Sequence, residues 1–191
     1  MAETDVYYFA PQKNFASDGG LWFALMSPSA IARAEAIAGS DRYIPPFLSL
    51  TQAIENSRLQ QTLNTPALAT LLLMEAQVNW MLGIGGLSAS AAKSTANSDH
   101  LYTWAEGHKL LTPFVAKPED RSPVIVTIDV DESIDAAQLT KVLRANGIVD
   151  TEPYRKLGRN QVRIATFVGV ELDDLQRLSA SIDYVMERLA N

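Results

Sequence analysis

Hydrophobic residues along the chain change their period in a way that marks out its elements. Val6-Tyr7-Tyr8-Phe9-Ala10 is a β-rich run that stops at Pro11, and a second run, Leu21 to Met26, resumes after Gly19-Gly20. Residues 3–26 therefore read as two strands joined by a turn that holds Lys13. Pro28-Ser29 opens a short helix, Ala30 to Ala38, ended by Gly39, and Pro45-Pro46 marks an extended loop. In Asn64-Thr65-Pro66 the threonine can cap free N–H groups and the proline fits the first helical position. The helix that follows, Ala67 to Leu82, is apolar on most faces and is expected to be buried. Gly83-Ile84-Gly85-Gly86 then bends the chain into a second long helix, Leu87 to about Gly107. No strand precedes these glycines, so a dinucleotide-binding turn is not indicated.

Beyond a loop from Pro113 to Pro123, Val124, Val126, Ile128 and Val130 alternate, the period-2 sign of a half-covered strand. Asp131-Glu132-Ser133 followed by Ile134 to Ala145 reads as a capped amphipathic helix with Ala136, Leu139 and Leu143 on one stripe. Gln161 to Phe167 reads as a further strand. The last helix puts Leu175, Leu178, Ile182, Val185 and Leu189 on one face. The order expected for this part is strand, helix, strand, strand, helix. The division expected is a first domain over residues 1–85 and a smaller one over 86–191 that includes the linking helix.

Composition narrows the chemistry. At 191 residues, with 47% hydrophobic and 20% charged residues, the chain can bury a real core. A net charge of −6 and a pI near 4.9 leave no basic face for nucleic acid or an anionic membrane. The densest positive group is Arg155, Lys156, Arg159 and Arg163, which suits a metabolite anion. The chain has no cysteine, which excludes disulfides and thiolate chemistry. His100 and His108 show no metal-ligand spacing, so no metal is expected. The acidic run Asp129-Val130-Asp131-Glu132 lacks the glycine and closing glutamate of a calcium loop and fits helix capping better. Ala2-Glu3-Thr4-Asp5 has no signal-peptide character, and Leu68 to Met74 is too short to span a bilayer. A soluble cytoplasmic protein is expected.

Among single residues Lys13 carries the sharpest chemistry. An ammonium set among aromatic side chains is poorly solvated, which favours a neutral amine able to attack an aldehyde. Read locally, a turn lysine is ordinarily just solvated. Asn64-Thr65 at a helix start can be a phosphate site or a plain cap. Arg163 lies between Val162 and Ile164; if those two face the core it projects to the other side, where an arginine can grip a carboxylate with two parallel hydrogen bonds. Strand and loop arginines are more often solvated.

Three separated stretches decide between these readings. They are Tyr8 to Gly20 with Ala10-Pro11-Gln12-Lys13-Asn14 at its centre, then Asn64-Thr65-Pro66-Ala67, then Leu143 to Arg155 with Gln161-Val162-Arg163. In this order they resemble phosphoserine aminotransferase, most closely the actinobacterial form. The resemblance implies an α/β fold: the C-terminal half of a fold-type I pyridoxal-phosphate transferase. That half comprises a remnant of the large domain plus a small α+β domain with an antiparallel sheet. It implies that Lys13 bonds to pyridoxal phosphate and moves the substrate proton. Gln12 would lie near the cofactor phosphate. Asn64 and Thr65 would reach the cofactor phosphate of the other subunit of a homodimer. Arg163 would hold the substrate α-carboxylate in a cleft shared with Lys13, and Arg155 the phosphate or side-chain carboxylate.

Two departures from the better-known bacterial pattern bear on the phosphate contact: Tyr154 replaces a histidine, and Leu157 to Gln161 makes a longer connection. In the resembling family about half of the chain precedes the cofactor lysine, whereas twelve residues do here. The chain is thus expected to be a C-terminal portion with an initiator methionine ahead of Ala2, which alone turns over little and binds the cofactor weakly or not at all. The activity expected of the family is amino exchange between phosphoserine and 2-oxoglutarate, in serine biosynthesis. A serine/alanine–glyoxylate type transaminase would have less use for Arg155. A catalytically silent fragment that only folds and dimerises is the alternative from another class. Cysteine desulfurase is excluded for want of a cysteine.

Overall fold

A computed structural model of the chain describes residues 3–189. It divides into two compact units, one containing the chain up to Gln12 with Ser17–Ala76, the other Lys13–Ala16 with the chain from Gln77 onward.

The first unit begins with an antiparallel ribbon, β1 (Val6–Phe9) and β2 (Phe23–Met26), in register Val6 to Met26 and Phe9 to Phe23. Helix α1 (Pro28–Ala38) follows; Ser27 caps it by accepting from Ala30 N at 3.1 Å, with proline at its start as expected. The Ser27 and Ser29 hydroxyls both donate to Asp5, at 2.9 and 2.8 Å, and hold its carboxyl below the usual range, Ser29 most. A short turn at Pro46–Leu48 leads into α2 (Leu50–Arg58), capped by Ser49. This helix stands where only an extended loop was expected, because Leu50, Ala53 and Ile54 give too few apolar positions for a clear 3.6-residue pattern.

Helix α3 (Leu68–Gly83) forms, but two expectations about it fail. It starts after Ala67, whose carbonyl accepts from Leu71 N at 3.1 Å, so neither Thr65 nor Pro66 occupies the expected cap positions. Nor is it buried: Thr70 is its single buried residue, and Leu72 is 67% exposed. The reason is a lack of material to pack against. In the whole first unit only Pro11, Ser27 and Thr70 are buried among the described residues.

The second unit holds the core. α3 gives way at Gly83 to α4 (Gly86–Gly107), with Gly85 and Gly86 at φ 119 and 70, the expected break. Strands β3 (Leu111–Pro113), β4 (Ile125–Val130) and β5 (Gln161–Ala165) form an antiparallel sheet in the order β3-β4-β5. Helix α5 (Ala136–Ala145) lies between β4 and β5 in sequence, and α6 (Leu172–Leu189) follows β5. On one face Val126, Ile128, Val162 and Ile164 pack with Leu101 of α4, Leu139 and Leu143 of α5, and Leu175 and Ile182 of α6. Full burial of each such side chain contributes ~1.5–3 kcal/mol, so this cluster dominates the stability of the unit.

The order is therefore strand, strand, helix, strand, helix. β3 was hidden because three residues carry no period, and no strand forms between α5 and β5. There Gly147 and Asp150 take positive φ and Pro153 lacks an N–H, which breaks any ladder. The cap of α5 is Asp135, accepting from Ala137 N at 2.8 Å, whereas Asp131 accepts from Ser133 N one turn earlier. No single helix among the described residues is long and apolar enough to cross a membrane.

Candidate functional site

Lys13 opens a 3-10 turn, Lys13–Phe15, that belongs to the second unit. Its backbone is left-handed, φ 68, a conformation that costs a non-glycine residue ~1–2 kcal/mol. Such strain persists where the surroundings over-determine it. Here the determinant is Asn14: its Oδ1 accepts from Ser94 Oγ of α4 at 3.3 Å and from Val168 N at 3.2 Å. The segment after β5 that supplies Val168 is itself tied down. Asn97 donates to the Val170 carbonyl at 2.9 Å, and Lys93 pairs with Glu171. Gly169 suits the close approach at this point, since a Cβ built there would meet the Ala16 Cβ at 3.1 Å and the neighbour would have to give by a few tenths of an ångström.

The lysine side chain is exposed and has no hydrogen-bond or ionic partner among the described residues. The enclosure among aromatic side chains expected from the sequence is thus not found: the residue is exposed. Gln12, next to it, is also exposed with its amide unpartnered. On the first-unit side, Ser17 N closes onto the Pro11 carbonyl at 3.1 Å. Ser17 Oγ and Thr70 Oγ1 cross-link the following loop to α3.

Asn64 and Thr65 lie in the first unit, exposed, on the rim of an open hollow shared with Asn56, Gln60 and Thr62. Among the described residues neither side chain has a hydrogen-bond partner. They are free polar groups ahead of α3 rather than its caps.

The arginines separate by role. Arg163 sits on β5, half-buried, between Val162 and Ile164, both in the core, so the expected alternation holds. Its N–H donates to the Thr151 carbonyl at 3.0 Å, and its guanidinium lies over the Tyr154 ring, 5.7 Å from the centroid. The structure thus brings together Tyr154 and Arg163. Arg155 is exposed and unpartnered among the described residues. Arg159 is not available to a ligand: it pairs with Asp129 through Nε at 3.2 Å and Nη2 at 2.7 Å and covers the Phe114 ring. That carboxylate raises its pKa.

Sequence reasoning missed Asn14 and Arg144. Asn14 adjoins the lysine, and a half-buried amide whose oxygen accepts two hydrogen bonds leaves no mark on a sequence. Arg144 donates to Glu152 at 2.7 Å and to Asp150 at 3.1 Å, contacts that depend on the intervening turn.

No protein-family model matches the chain. Among curated proteins it is 57% identical over 189 residues to a protein of Mycolicibacterium vanbaalenii provisionally named as a phosphoserine aminotransferase. The match covers 99% of this chain and 51% of that one. The phosphoserine aminotransferase of Rhodococcus jostii is 55% identical with the same coverage. The chain is a relative of the phosphoserine aminotransferases. It spans about half the length of the curated relatives it matches, consistent with a C-terminal portion. Its fold is that of the corresponding part of such enzymes. A phosphoserine aminotransferase of Cytophaga hutchinsonii superposes with a TM-score of 0.86 at 20% identity, over 96% of this chain and 50% of that one. The enzyme of Trichomonas vaginalis, solved with pyridoxal phosphate bound, gives 0.76 at 15% identity over 95% and 48%.

Proposed function

We propose that this chain is the cofactor-lysine and substrate-arginine portion of a phosphoserine aminotransferase, exchanging an amino group between phosphoserine and 2-oxoglutarate with pyridoxal phosphate. The observation that carries the reading is Lys13: a free amine on a strained turn whose neighbour Asn14 is bonded to two distant segments. A left-handed lysine with no partner of its own is poorly explained as structure and well explained as a reserved nucleophile.

The residues present fit the cofactor. Lys13 Nζ would hold it, the unpartnered Gln12 amide would meet its phosphate, and Asn64 and Thr65 of a second copy would donate to the same phosphate in a homodimer. When bound, pyridoxal phosphate supplies an aldehyde carbon to take the amino group and an electron-withdrawing ring that acidifies the substrate Cα. Arg163 would grip the α-carboxylate from the polar face of the sheet, and Arg155 would draw in the substrate phosphate. With the substrate so held, the Lys13 amine, released from the cofactor when the substrate amine replaces it, would take the Cα proton as general base. A cytoplasmic location accords with these metabolite substrates.

The test is the visible absorbance of the purified chain on addition of pyridoxal phosphate, beside Lys13→Ala. A band that the control loses supports the reading; an equal band in the control refutes it. Turnover with phosphoserine and 2-oxoglutarate, set against alanine and glyoxylate, decides the substrate class.

The exposed apolar residues of the first unit, Tyr8, Leu25 and Leu72 among them, favour a second reading for the 191-residue chain alone. It folds and associates through this surface without turnover. Sedimentation of the chain with and without activity separates the two.

A further inference from the structure

Arg163 is a long side chain on a short strand, and nothing ionic fixes its direction among the described residues. We infer that Tyr154, carried on a segment clamped by Arg144, is a positioning residue that sets the Arg163 guanidinium; this rests on the reading of Arg163 as the carboxylate grip.

The argument starts at the connection between α5 and β5. Thr151 is buried there and runs beside β5, its carbonyl taking the Arg163 N–H at 3.0 Å. No strand ladder holds this stretch, and Asp150 is left-handed at φ 64, a strained state for a non-glycine residue. The restraint comes from Arg144 at the end of α5. Its Nε donates to Glu152 Oε1 at 2.7 Å and its Nη2 to Asp150 Oδ1 at 3.1 Å, so one rigid fork holds both residues flanking Thr151. Arg144 also keeps the Glu152 carboxyl below its usual range, so the clamp stays charged at neutral pH.

Two residues beyond the clamp, the Tyr154 ring presents its face to the Arg163 guanidinium, 5.7 Å from the centroid. A ring face attracts the cation while leaving its N–H donors free for a ligand in the guanidinium plane. The path therefore runs from α5 through Arg144, Asp150 and Glu152 to Thr151, and from there to both the backbone and the side chain of Arg163. Arg155 follows Tyr154 directly, so the same clamp sets where that free cation is presented.

Nuclear magnetic resonance on the intact chain tests this without cofactor turnover. The Arg163 side-chain protons should be shifted upfield by the ring in the unsubstituted chain and in Tyr154→Phe, and return to ordinary values in Tyr154→Ala. In Arg144→Gln the Arg163 amide should exchange with solvent several-fold faster. Titration with 2-oxoglutarate, followed on the Arg163 signals, should weaken ~2- to 5-fold in Tyr154→Ala, the size of an exposed cation–π contact. Arg163 signals and affinity unchanged in both Tyr154→Ala and Arg144→Gln would overturn the proposal. Arg163→Gln binding 2-oxoglutarate as well as the unsubstituted chain would instead refute the carboxylate role. The ring-current shift then decides the placement by itself.

Discussion

Replacing Lys13 separately by glycine and by alanine measures the strain stored at the lysine turn. At φ 68 an L-residue meets a clash that glycine lacks, worth ~1–2 kcal/mol. Against this, glycine loses more backbone freedom on folding than alanine, ~0.4–1 kcal/mol. The Lys13 side chain is exposed and makes no hydrogen bond or ion pair among the described residues, and both substitutions remove all of it beyond Cβ, so the difference between them chiefly reports the backbone. Lys13→Gly should therefore be more stable than Lys13→Ala by about 1 kcal/mol, the difference of those two terms. For a chain of this length that is ~2–4 °C in melting temperature. Urea denaturation and thermal unfolding by circular dichroism read it directly. Both variants should lose the pyridoxal-phosphate band, so the more stable variant would be inactive. Alanine equal to or better than glycine would refute the strain argument. Lys13 would then sit in its turn at no cost, and its conformation would say nothing about function.

Three further outcomes are expected. Asn160→Ala should cost ~2–4 kcal/mol in urea denaturation, because its side chain accepts from the buried Ala136 N–H and donates to the Val130, Asp131 and Ile134 carbonyls. A loss under about 0.5 kcal/mol, the range of ordinary surface changes, would count against that network. The stability that Glu152 contributes should be complete above its ordinary value of 4.5 and disappear as pH falls through its lower folded value. Arg144→Gln should flatten that acid limb, and an unchanged limb argues against the clamp. Leu139→Ala, at a fully buried site, should lose ~2–5 kcal/mol, whereas Leu72→Ala on exposed α3 should change stability by less than ~0.5 kcal/mol. Equal losses would mean that α3 is covered in solution, as in an associated chain.

The sequence by itself determined the elements whose side chains must alternate between core and solvent. Val126, Ile128 and Val130 reveal β4, the Leu139 and Leu143 stripe reveals α5, and Leu175 to Leu189 reveals α6, because burial on one face imposes a period that is visible without coordinates. The lysine turn was legible from Pro11 and Gly19-Gly20, and Arg163 from its place between two core residues. Short pieces were not: β3 has three residues, and α2 carries apolar residues at i, i+3 and i+4 over a single turn only.

Burial of α3 was misjudged because apolar composition states what a helix can bury, while exposure depends on what packs against it, and the first unit offers almost nothing. Only tertiary structure could decide the site's restraints. Asn14 reaches Ser94 and Val168 across eighty residues and more, and Arg144 reaches Asp150 and Glu152 around a left-handed turn. A hydrogen bond is specific in distance and angle, not in sequence spacing, so polar contacts of this kind become readable only once the chain has folded.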